Sequence, residues 1–143
     1  MLYVIGEACR DDQEKVESPA IKYLGWIDHD LIDDYISQFD AALIPSRQEG
    51  FGLVAAEAMR NAKPVIASRA GALPELIKDG ENGYVFDLAD YKTRLPEILN
   101  NLNKDTLASL GQNARQSYEK NFTDTRFADD ILQCYRDVLA AAA

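Results

Sequence analysis

The sequence predicts an α/β fold, a parallel sheet with helices on both faces and a helical tail, and three observations predict it. Short apolar runs alternate with longer amphipathic ones over the first 86 residues, the signature of βαβ units. Those runs are only three or four residues long and are bounded by polar, Gly or Pro residues, as suits strands of a sheet covered on both sides. From Tyr91 onward, helical periodicity takes over without another strand.

Each element has its own signal. Strands are expected over residues 2–5 (LYVI), 21–24 (IKYL), 41–44 (AALI), 64–67 (PVIA) and 84–86 (YVF). Asp30 is placed to cap a helix carrying Leu31, Tyr35 and Ile36. Residues 52–61 form the next helix, with Leu53, Ala56 and Met59 near one face. Pro74 suits the first turn of a short helix through Ile77, which the turn-rich "KDGENG" ends. Residues 105–119 and 124–139 are helices of a tail spanning 91–143, and Ile131, Cys134, Tyr135 and Val138 are spaced to share an apolar stripe that ordinary packing would bury. A single domain over 1–143 is expected, lacking an upstream unit: the chain opens directly on an apolar strand, whereas parallel strands come in βαβ pairs with a right-handed crossover.

Composition narrows the function classes. Fifteen basic and 24 acidic residues give a net charge of −9, which repels nucleic acid and anionic lipid. Cys9 and Cys134 are far apart and form no Cys-x-x-Cys pair, so both read as reduced thiols. No apolar run reaches the ~18 residues that span a bilayer, and the start has neither a basic n-region nor a cleavage site, so a cytoplasmic protein is expected, with no integral membrane segment. The sequon Asn121-Phe122-Thr123 carries no meaning in that setting.

The chemistry concentrates in "SRQEGFGLVAAEAM", residues 46–59. Pro45 ends a strand, the following loop leads to a helix near Gly52, and ligands of open α/β sheets bind at such carboxyl ends. Gly50 and Gly52 let the backbone turn sharply or approach a ligand closely. The N–H groups of about residues 51–54 lack intrahelical acceptors and form an anion site favoured by the helix dipole. The loop carries Glu49 where a P-loop has lysine, and neither G-x-x-x-x-G-K-[ST] nor G-x-G-x-x-G occurs. Two carboxylates, Glu49 and Glu57, instead suit hydroxyl-rich groups, since one carboxylate accepts from both hydroxyls of a diol. Asp28, His29 and Asp30 lack a spaced third ligand and read as a loop and helix cap, so no metal is expected.

These residues resemble a known family. Glu49-Gly-Phe-Gly-Leu-Val-Ala-Ala-Glu57 is similar to the E-x7-E element of the retaining, GT4-like group 1 glycosyltransferases. "YLGWIDHDLIDDYISQFDAALIPSRQEGFGLVAAEAM" and "KPVIASRAGALPELIKDGENGYVF" resemble the same family in order and spacing. The resemblance implies the Rossmann-like C-terminal half of a GT-B fold, the part that binds a nucleotide-diphosphate sugar, with no cofactor. It implies that Glu57 binds the ribose and that Glu49, the catalytic candidate, lies near the donor sugar. Gly50, Phe51, Gly52 and Leu53 would meet the sugar and diphosphate, and Ile27 would meet the base through its backbone. Gly71 and Glu75 match a second loop-to-helix element, either as turn glycine and first-turn acid or in direct contact. Arg47 is not the family's phosphate residue, and Ala8 stands where many relatives have the second glycine of a G-x-G turn. The resemblance also implies an acceptor domain and a first strand-helix unit absent from this chain, to be supplied by another region or a separate polypeptide; a non-catalytic module that binds a partner protein is the alternative.

Overall fold

A computed structural model of the chain describes residues 1–6 and 15–141; Ala8 and Cys9 lie outside them. The chain forms two compact units, Met1–Tyr35 and Ile36–Ala143.

In the first unit, strands β1 (Leu2–Ile5) and β2 (Ile21–Gly25) pair in parallel from Leu2↔Ile21, with a register shift that sets Ile5 opposite Gly25. Helix α1 (His29–Ser37) then begins. Asp30, expected as its cap, lies inside the first turn instead, because the Leu31 N–H already donates to the Asp28 carbonyl at 2.9 Å. Its carboxylate still sits at the positive end of the helix.

The second unit holds the main core. Strands β3 (Ala42–Ile44), β4 (Val65–Ser68) and β5 (Gly83–Phe86) form a three-stranded parallel sheet in the order β3-β4-β5, separate in hydrogen bonding from the β1–β2 pair. Every residue of the central strand β4 is buried, as expected for a strand covered on both faces. Side chains alternate across it. Ile66 and Phe86 pack with Ile98 of helix α4 (Tyr91–Asn101), and with Leu43, Tyr84 and Leu95 around them. Val65 and Ala67 point the other way, the side on which Gly83 brings its backbone against Val65 and Ile77. Helix α2 (Leu53–Arg60) contributes buried Ala55, Ala56, Ala58 and Met59, and helix α5 (Lys104–Asn121) contributes Leu110, Gly111 and Ala114. At Gly111 a Cβ would lie 2.1 Å from the Ala62 carbonyl oxygen, so a glycine is required for α5 to approach this turn.

Helix α2 ends in a Schellman motif: Lys63 N–H donates to Ala58 O at 2.9 Å and Ala62 N–H to Met59 O at 3.0 Å. Ala62 takes the left-handed position, φ 54°, where glycine is usual. Helix α3 (Leu73–Leu76) carries Pro74 in its first turn, and the "KDGENG" turn after it is held by a buried amide: Asn82 Nδ2 donates to Leu76 O and Ser117 Oγ, while Oδ1 accepts from the Lys78 N–H.

Helix α6 (Asp124–Ala141) departs from expectation. It has the predicted periodicity, yet none of its residues is buried: Phe127, Ile131, Leu132, Tyr135, Val138 and Leu139 are exposed, and Cys134 is an exposed free thiol. Periodicity fixes which face is apolar, and within this chain no element covers that face among the described residues.

Candidate functional site

The residues 46–57 hold together through the second unit. β3 delivers the chain past Pro45 into a loop whose Ser46 Oγ donates to Glu49 Oε2 at 3.3 Å, orienting a half-buried carboxylate. Buried Ser68, at the carboxyl end of β4, donates its hydroxyl to the Ser46 carbonyl and so ties the loop to the sheet. The next loop closes from the other side: at Gly71, φ 51°, a Cβ would stand 1.8 Å from the Glu49 carbonyl oxygen. Glu49 is thus positioned by two neighbours, Ser68 and Gly71, that are remote in sequence.

Gly52 makes the turn into α2. It adopts φ 91°, and a Cβ there would press on Leu73 and Leu76 at 3.3 and 3.4 Å, so both conformation and space call for glycine. It is the N-cap of α2 and supplies no side-chain hydrogen bond, while its carbonyl accepts the first helical bond from Ala56 N–H. The Leu53, Val54 and Ala55 N–H groups therefore point out of the first turn without intrahelical acceptors, at the positive end of the helix dipole. Gly50, by contrast, has open space around it and no left-handed backbone. Phe51 is half exposed and packs edge-on against Phe122, with ring centroids 6.2 Å apart and planes at 88°. Leu53 is exposed, and Glu57, one turn into α2, is half-buried.

Glu49, Gly50, Phe51, Gly52, Leu53 and Glu57 therefore share one loop and helix start, with Gly71 packed on it; Glu75 is exposed in the first turn of α3. Ile27 belongs to the first unit, where it is half-buried just after β2. Arg47 faces elsewhere, lining a cleft of about 420 Å³ with Pro45, Phe86, Leu88, Tyr91 and Leu95, to which neither Glu49 nor Glu57 contributes. Among the described residues, Asp28, His29 and Asp30 are joined by no further side chains into a group that could hold a metal, and no helix is long and apolar enough to cross a membrane.

Ser68 and Phe122 were not singled out by the sequence. The signal for Ser68 is a lone hydroxyl closing the buried strand VIAS; for Phe122 there is no local signal, only its contact with Phe51 across the fold.

The chain spans about a third of the length of the curated relatives it matches. One, described as an uncharacterized 41.2 kDa protein in the cps region of Klebsiella pneumoniae, is 32% identical over 133 residues, 93% of this chain and 37% of its own length. Among solved structures, sucrose-phosphate synthase from Thermosynechococcus elongatus superimposes with a TM-score of 0.73 at 32% identity, covering 85% of this chain and 31% of its own. HepE from Anabaena, solved in complex with UDP and glucose, gives 0.73 at 27% identity, covering 82% of this chain and 32% of its own. These likenesses carry the Rossmann-like C-terminal domain of the GT-B fold seen here. With the family model matching residues 1–105, the chain belongs to the glycosyl transferases group 1 family.

Proposed function

We propose that this chain is the donor-binding part of a glycosyltransferase that moves a sugar from a nucleotide diphosphate to an acceptor hydroxyl with retention of configuration. In this reading Glu57 accepts the two ribose hydroxyls and the amides of residues 50–53 receive the diphosphate and sugar. Glu49 meets the sugar hydroxyls, and the Ile27 backbone meets the base. The anomeric carbon–oxygen bond to the diphosphate breaks while the acceptor oxygen bonds on the same face. The acceptor proton passes to the leaving diphosphate, whose growing charge the oriented N–H groups stabilise with little reorganisation. No step needs a metal or cofactor.

One observation carries this reading: the α2 N-terminus has no side-chain cap, and carboxylates stand both before its glycine turn and one turn inside. The relative crystallised with UDP and glucose supports the ligand class. The exposed stripe of α6 supports a further region, from the same or another polypeptide, that packs there and brings the acceptor site.

The test is ligand-observed NMR of the chain with UDP, GDP, ADP and their hexose conjugates. Saturation transfer to ribose protons for one nucleotide, lost with Glu57→Ala, is the expected outcome; transfer that survives Glu57→Ala refutes the ribose assignment.

A further inference from the structure

We propose that Phe122 is a positioning residue for the donor's diphosphate, holding the amides of residues 50–53 in place through its ring contact with Phe51; this rests on the nucleotide-sugar reading above and adds to it a residue far from the loop in sequence. The loop needs such a hold. At its start Glu49 is confined by Ser46 and Gly71, and at its end Gly52 is set against Leu73 and Leu76. Between them Gly50 has open space around it, so nothing at Gly50 itself fixes the peptide that follows. Phe51 carries the first side chain after it, and that ring meets Phe122 edge-on with centroids 6.2 Å apart.

Phe122 can hold a loop because it is itself fixed. It is the C-cap of α5, where its N–H donates to the Tyr118 carbonyl at 2.8 Å. Arg126 of α6 donates Nη1 to the Lys120 carbonyl at 3.0 Å and its N–H to Thr123 Oγ1 at 3.3 Å, which ties the corner between the two helices from both sides. α5 is anchored in turn on α2: Gly111 lies against the Ala62 carbonyl, and Arg115 Nη1 donates to the Arg60 carbonyl. Eleven residues separate Phe51 from Ala62 and eleven separate Gly111 from Phe122, so α5 runs back along α2 and braces both of its ends. At the C-terminal end the brace is backbone on backbone. At the N-terminal end, where the outward amides lie, it is the ring pair.

The test uses Phe122→Ala, Phe122→Leu, which keeps apolar bulk without a ring and guards against loss of fold, and Phe122→Tyr, which keeps the ring. Amide relaxation of the chain without ligand should show order parameters falling from about 0.85 towards 0.6 at residues 50–53 in the first two variants, with residues 62 and 111 unchanged and Phe122→Tyr like the parent. An aromatic pair shifts an equilibrium about 2- to 10-fold, and a loop that spends less time in its binding form loses affinity by that fraction. Phe122→Ala should therefore weaken the nucleoside diphosphate that shows ribose transfer about 2- to 10-fold, while its monophosphate, which lacks the outer phosphate, is weakened less. Unchanged order at residues 50–53 in both ringless variants, or equal weakening of monophosphate and diphosphate, would overturn the positioning role and leave the donor site standing. No ribose transfer for any nucleotide with the unsubstituted chain would overturn the donor-site reading and this inference with it.

Discussion

Replacing Gly71 by alanine separates the two loops that position Glu49. The new Cβ would stand 1.8 Å from the Glu49 carbonyl oxygen, 2.8 Å from its carbonyl carbon and 3.2 Å from its nitrogen. Carbon–oxygen contacts close to about 3.3 Å, so one loop must withdraw by about 1.5 Å. Neither is loose: Ser68 holds the Ser46 carbonyl on one side, and buried Ala70 and Leu73 flank Gly71 on the other. The left-handed backbone at φ 51° adds about 1–2 kcal/mol for a residue with a Cβ, and overpacking adds about 1–3 kcal/mol. A loss of about 2–5 kcal/mol is expected in denaturant unfolding followed by ellipticity. In variants that remain folded, the misplaced Glu49 should weaken the hexose conjugate at least ~10-fold, by the reasoning that ångström displacements at a site cost orders of magnitude. Calorimetric titration with the conjugate and with the free nucleotide measures it, and the free nucleotide should suffer less if Glu49 meets the sugar as proposed. Gly50→Ala is the control: open space and an ordinary backbone predict a stability change within ~0.5 kcal/mol. Should Gly71→Ala match that control in stability and the unsubstituted chain in conjugate affinity, Gly71 does not position Glu49.

Two substitutions probe the frame around the site. Ala62→Gly should stabilise the chain by about 0.5–1 kcal/mol, the relief of a left-handed alanine less the entropy that glycine gains in the unfolded chain; denaturant midpoints at constant slope check it. Asn82→Ala should cost about 2–4 kcal/mol in the same assay, because it strands the Lys78 N–H and Leu76 carbonyl that the buried amide satisfies.

Much of the fold was legible because strands announce themselves as short apolar runs cut off by glycine, proline or polar residues. β1 falls on the expected residues 2–5, β3 begins one position later than expected and β4 moves by one position at both ends, within the ordinary fraying of element boundaries. Strand pairing was less legible. Which strands share a sheet depends on contacts between distant segments, and no local pattern reveals that β1 and β2 pair apart from the other three. The site divides in the same way. Glu49, Gly52 and Glu57 lie within nine consecutive residues, where spacing and glycine conformation can be read directly. The group that fixes their loop from Ser68 acts across 22 residues, and Phe122 is further still from Phe51. Burial of α6 failed as an expectation for a related reason: an apolar stripe records an evolved preference for a neighbour, and the neighbour is encoded elsewhere.

The division into two units also bears on cooperativity. No described residue before Ile36 is fully buried, while the second unit carries the packed sheet and most of the helix. A parallel pair of strands alone is marginal in water, so nothing obliges the chain to melt in one all-or-none step. The sole tryptophan belongs to the first unit, whereas the ellipticity of α2, α4, α5 and α6 belongs to the second. Emission and ellipticity therefore act as thermometers of different bodies, and a melting temperature taken from one describes only the unit in which its chromophore resides.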